Sequence, residues 1–106
     1  MATYKVLAQS APSATTPTTL YTASNATIVS SLNVANTGGA ADTIRIAVRP
    51  LGATLVNQHY IAYGLQVPSG SFLTYTGGIT LANTDVITIY STTGTSSFSA
   101  FGSEGN

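Results

Sequence analysis

The stretch Asp42 to Leu65, DTIRIAVRPLGATLVNQHYIAYGL, decides the fold. Ile44, Ile46 and Val48 alternate with Thr43, Arg45, Ala47 and Arg49. Period-two alternation is the signature of a half-buried antiparallel strand. Pro50 has no N–H for a ladder and stops it. LGATLVN carries the chain round, with Gly52 near the bend, and Asn57 to Leu65 reads as the return strand. The stretch is therefore expected to be the central hairpin of a β protein. It also holds both arginines and the only histidine.

The same reading extends in both directions. Thr3–Gln9, Thr18–Thr22, Thr27–Ala35, Ser71–Thr76, Ile79–Leu81, Asp85–Ser91 and Ser96–Phe101 read as further strands. Turn residues separate them, among them Ser24-Asn25, Gly38-Gly39, Pro68 to Gly70 and Gly77-Gly78. In Thr27–Ala35, Ile28, Leu32 and Val34 are expected on one face. In Thr3–Gln9, Tyr4, Val6 and Ala8 share one face and Lys5, Leu7 and Gln9 the other. The tail Gly102 to Asn106 is expected to fray. About eight strands with regular turn signals and no helical period predict an all-β, antiparallel sandwich, jelly-roll-like or Ig-like.

A chain of 106 residues suits one domain. Within it, residues 1–19 read as a strand followed by an extended N-terminal arm, with Pro12 and Pro17 stiffening the connection. The start MATYKVLAQSAP lacks the apolar segment of a signal peptide, which points to synthesis in the cytoplasm. No run approaches the roughly 18 apolar residues of a membrane span.

Only 6% of residues are charged, and the formal net charge is zero. Such a surface repels other copies weakly, so a working state that is assembled is expected. Three cations cannot form a nucleic-acid footprint. Cysteine is absent, which removes disulfides and thiolate metal sites.

Chemistry is hard to find in this sequence. His59 would need partners to act as a base or ligand, and the carboxylates are only Asp42, Asp85 and Glu104. Asp42 and Asp85 follow turns, where aspartate is an ordinary turn residue, and no G-x-S-x-G surrounds any serine. No catalytic residue, cofactor or metal site is assigned, and His59 is read as structural. Asn25-Ala26-Thr27 is a glycosylation sequon read here as a turn. Arg45 and Arg49 fall on one strand face and are expected to contact another chain, through a carboxylate or a phosphate. With Tyr4, Lys5, Pro12 and Pro17 of the arm they are the interface candidates. Six tyrosines also allow a sugar site. In a regular strand, however, Tyr60 and Tyr63 would face opposite ways and form no shared platform.

Four runs carry a resemblance: MATYKVLAQSAP (1–12), TTLYTAS (18–24), TIRIAVRPLGATLVNQHYIAY (43–63) and GITLANTDVITIYSTTGTSSFSAFGSE (78–104). In these runs, which span nearly the whole chain, the sequence resembles small virion structural proteins of tailed phages of aquatic bacteria. The resemblance implies a non-enzymatic component of the particle, made in the host cytoplasm. With the composition it leads to a capsid decoration (cement) protein that binds across capsomer junctions. Its expected partners are the major capsid protein and copies of itself, in a homo-oligomer such as a trimer. A tail, collar or fibre component is the second reading. A carbohydrate-binding module for host attachment is the third.

Overall fold

The computed structural model describes residues 3–105. It contains nine strands: β1 (Thr3–Ser10), β2 (Thr18–Thr22), β3 (Thr27–Asn36), β4 (Asp42–Arg49), β5 (Tyr60–Val67), β6 (Phe72–Tyr75), β7 (Ile79–Leu81), β8 (Val86–Ser91) and β9 (Ser96–Glu104). Among the described residues the only helical turns are two short 3₁₀ segments, Pro50–Gly52 and Asn57–His59, both in the β4–β5 connection.

The strands form two antiparallel sheets. Sheet one has the order β1-β9-β3-β6, with β7 beside the other half of β3. Sheet two has the order β2-β8-β4-β5. The pairings are nested: β4 with β5, β3 with β6 and β7, β2 with β8, and β1 with β9. A long hairpin rolled so that alternate pairs fall into two sheets is a jelly roll. The expected all-β sandwich is thus observed, and the jelly-roll option is the one taken. β6 and β7 together fill the position of one strand, which accounts for nine rather than eight.

The core lies between the sheets. Val29, Leu32, Val34, Phe98 and Ala100 of sheet one meet Leu20, Ile44, Ile46, Ile87 and Ile89 of sheet two. Leu32, Ile44, Ile87, Ile89 and Phe98 are fully excluded from solvent.

Bulges interrupt four strands, with Leu20 the extra residue in β2, and in β1, β3 and β5 the period-two reading fails. In β1 the register passes from Val6↔Phe101 to Ala8↔Ala100, so Leu7 is extra. Leu7 and Ala8 both pack against the core, while Tyr4 and Val6 face solvent. In β3 the pairing jumps from Val29↔Gly102 to Ser31↔Phe101 around Ser30. Val29 therefore points inward and Ile28 outward, the reverse of the expected arrangement. Beside this bulge the two strands approach closely at Gly102, where a Cβ would lie 2.0 Å from the Ile28 carbonyl oxygen. In β5 both Gly64 and Ile61 are extra residues, between Leu65↔Ile44 and Tyr63↔Arg45 and between Ala62↔Ile46 and Tyr60↔Ala47. Gly64 has φ +73°, a left-handed conformation that glycine adopts without steric cost.

The N-terminal segment is part of the fold. β1 pairs with β9, and the connection then crosses to sheet two, where the Thr15 N–H donates to the Ser91 carbonyl oxygen at 2.9 Å. Pro12 is buried by its own chain. The tail expected to fray is also structured up to Gly105. Glu104 ends β9, and the Gly105 N–H donates to the Ala26 carbonyl at 2.8 Å. Asn106 lies outside the described residues.

Polar clusters close the two ends of the sandwich. At one end Asn36 uses all its amide capacity. Its Nδ2 donates to the carbonyls of Ala40 (2.8 Å) and Val67 (3.0 Å), and its Oδ1 accepts from the Gly38 N–H (3.0 Å) and the Thr95 hydroxyl (2.9 Å). Beside it Asp42 is buried and accepts from the hydroxyls of Ser91 and Ser96 and from the Thr93 N–H. At the other end Glu104 accepts from the Tyr21 hydroxyl and pairs with Lys5 Nζ at 2.9 Å.

Candidate functional site

The outer face of sheet two carries the one cluster built around an uncommitted charge. Arg45 sits mid-strand in β4, opposite Tyr63 of β5 and Tyr90 of β8. Its guanidinium carbon lies 4.4 Å from the Tyr63 ring centre and 4.2 Å from that of Tyr90. Cation–π contacts of this kind contribute about 0.5–1 kcal/mol each at accessible sites. Tyr60 packs on Tyr63 edge to face, with ring centres 4.9 Å apart. The bulge at Ile61 makes this possible. It places Tyr60 opposite Ala47 and Tyr63 opposite Arg45, on the same face. The expectation that these tyrosines face opposite ways is therefore corrected. Gly64, a glycine inside a strand, signalled the neighbouring bulge beyond Tyr63, but no residue type marked the one at Ile61.

A shallow depression of about 330 Å³ lies beside this row, lined by Asn57, Tyr60 and Tyr63. The β4–β5 connection supplies Asn57 and folds back over the sheet. His59 is nearly buried there, and its Nδ1 accepts from the Val56 N–H at 3.2 Å. Its role in the structure is to hold this turn.

The two arginines do not act as a pair. Arg49 Nε donates to the Thr88 hydroxyl at 3.0 Å, and its Nη1 donates to the Ala53 carbonyl at 3.1 Å. Arg49 therefore pins the Pro50–Gly52 turn to β8. Arg45 makes no hydrogen bond or ion pair to any described residue; the single ion pair among them is Lys5–Glu104. All three carboxylates are engaged elsewhere. Asp85 accepts from the N–H groups of Leu51 (3.0 Å) and Ala82 (2.9 Å), and these bonds hold its carboxyl below the ordinary range. The Tyr21 hydroxyl and Lys5 do the same for Glu104. Burial alone would raise Asp42, but the Ser91 and Ser96 hydroxyls and the Thr93 N–H outweigh it, so its carboxyl is also lowered. Both aspartates thus do more than the turn role expected of them.

The remaining candidates divide in the same way. Tyr4 is 85% exposed and Pro17 is exposed, so both are available to a partner. Lys5 is committed to Glu104, and Pro12 is buried, so neither is free as expected. Sequence reasoning missed a second surface because the bulges concealed it. On the outer face of sheet one Tyr4, Ile28 (54% exposed) and Phe101 line an open depression of about 510 Å³. Val6 lies beside it, and Phe72 of β6 is 64% exposed.

Among the described residues no group of three or more His, Asp or Glu side chains is placed to hold a metal ion. No helix there is long and apolar enough to cross a membrane. Comparison with protein-family models, with curated proteins and with solved structures gave no match.

Proposed function

We propose that this chain is a non-enzymatic structural subunit of a phage particle. It works as a decoration protein that stabilises the head across capsomer junctions, with the major capsid protein and further copies of itself as partners. The observation that carries the assembly part is the outer face of sheet one, where Tyr4, Val6 and Ile28 stand in solvent around the half-exposed Phe101, with the exposed Phe72 further along the same sheet. A monomer rarely exposes such a patch without covering it in its working state. A standard interface removes about 800 Å² per partner, roughly one seventh of the 5432 Å² this chain exposes. The near absence of charge permits that contact to form with little repulsion. The place in a phage head comes from the family resemblance, with fold-level analogy beside it, because jelly rolls recur in viral capsid domains.

Ile28→Lys tests the assembly claim. Ile28 faces outward near the start of β3, so the monomer should keep its melting temperature within a few degrees, as exposed substitutions change stability by only about 0.5 kcal/mol. A buried unpaired ammonium should weaken association at least tenfold, measured by sedimentation velocity and by co-pelleting with expanded heads. Undiminished association of the folded variant would remove this face from the interface. Locating the chain in a map of the intact particle tests the head against the tail, collar or fibre.

A further inference from the structure

We infer that the Arg45 row on sheet two is a binding site for an acidic saccharide, with the sugar carboxylate on the guanidinium and the ring in the depression beside it. This goes beyond the assembly reading and uses the opposite face of the molecule.

Three observations carry it. First, Arg45 is held between the rings of Tyr63 and Tyr90, at 4.4 and 4.2 Å. The two rings, one from the strand on each side of β4, flank the guanidinium and restrict it, while its N–H groups make no hydrogen bond to any described residue. A fixed, planar fork of donors matches a carboxylate bidentately, with little rotamer freedom left to lose. Second, the charge has no counter-ion among the described residues. Asp42 is enclosed by Ser91, Ser96 and Thr93, Asp85 caps two backbone N–H groups, and Glu104 is paired with Lys5. In a second copy the same three carboxylates are already held in these contacts, which makes them poor partners for Arg45. The anion therefore comes from a different molecule.

Third, the adjoining depression is small and amphipathic. Tyr60 and Tyr63 supply aromatic surface with hydroxyls, and Asn57 supplies a side-chain amide that makes no hydrogen bond to any described residue. Aromatic area flanked by a few polar groups suits the C–H face and hydroxyls of one sugar ring. Its character contrasts with the depression on sheet one, where the exposed surface is mostly apolar and the one cation, Lys5, is paired with Glu104.

Titration of the ¹⁵N-labelled full chain tests the site, with methyl β-glucuronide, methyl β-glucoside, inorganic phosphate and a capped acidic peptide as probes. The glucuronide is expected to shift the amides of Arg45, Asn57, Tyr60 and Tyr63, and to bind at least tenfold more tightly than the neutral glucoside. Arg45→Lys, which keeps the charge and loses the planar fork, should weaken the glucuronide at least tenfold with an unchanged melting temperature. Its self-association should equal that of the parent, which separates this site from the face on sheet one. Equal binding of acidic and neutral sugars, or none, would overturn the proposal. So would glucuronide binding that survives Arg45→Lys. Tighter binding of the acidic peptide at these amides would assign the site to a protein partner, and tighter binding of phosphate would show a simple anion site; either overturns the sugar.

Discussion

The Asp42→Ala protein is expected to unfold about 15–20 °C below the parent, a loss of about 3–4 kcal/mol for a domain of this size. Asp42 is buried and serves three donors: the hydroxyls of Ser91 and Ser96 and the Thr93 N–H. Ser91 and Ser96 are themselves almost completely buried. Alanine removes the acceptor and leaves polar groups in the interior that water cannot easily reach. Hydrogen bonds to an ionised group contribute about 1.5–3 kcal/mol each, and orphaned partners add a desolvation cost. The bonds also tie the start of β4 to the β8–β9 turn, so that end of the sandwich should loosen first. Hydrogen exchange at Thr93 and Gly94 would report it. A loss under about 1 kcal/mol would mean that water replaces the carboxylate and that the cluster is not a structural hub.

The same group sets an acid limb. The folded-state pKa of Asp42 is lowered, so its contribution is complete above the unfolded value of about 3.9 and is lost as pH falls through the folded value. Asp85 and Glu104 are lowered too and add to the slope in the same direction. Parent stability should be flat near neutrality and decline below about pH 4. Asp42→Asn should start lower and decline less steeply, with Asp85 and Glu104 supplying the remaining slope. Denaturant titrations at pH 3 and pH 7 measure both.

Removal of residues 2–17 should abolish cooperative folding. Read from sequence alone, this segment is a strand with an arm extending from it, and an arm of that kind could be removed without unfolding the domain. The structure gives it a different status. β1 pairs with β9 at seven positions, and Leu7 and Ala8 pack against the core. Pro12 is buried, and Lys5 neutralises Glu104. Without β1, the Phe98 and Ala100 strand becomes an unprotected edge and one side of the core opens to water. Net stabilities of only about 5–15 kcal/mol do not survive losses of that kind. The truncated chain should show no sharp thermal transition by circular dichroism. A cooperative transition close to the parent's would restore the view of this segment as a dispensable arm.

The fold was largely legible because alternation and turn residues are local signals. β4 reads Ile44, Ile46, Val48 against Arg45 and Arg49, and the structure places Ile44 and Ile46 in the core. The bulges were less legible. A single extra residue at Leu7, Ser30, Ile61 or Gly64 inverts the face of everything beyond it. That inversion hid the exposed Ile28 and the shared face of Tyr60 and Tyr63, so both candidate surfaces were mostly invisible in sequence. The separation of Arg45 from Arg49 was equally hidden. It depends on Thr88 and Ala53 meeting Arg49, contacts set by the return of a loop rather than by any motif.

The nested pairing has a kinetic consequence. β1 finds its partner only in β9, almost the whole chain length away, and β2 finds its partner only in β8. Topologies dominated by such distant contacts close in milliseconds to seconds, far more slowly than helical ones. During synthesis, β1 leaves the ribosome long before Ser96–Glu104 has been made. The nascent chain must therefore wait with its first strand unpaired and its apolar residues uncovered, and the roll can close only once β9 has emerged.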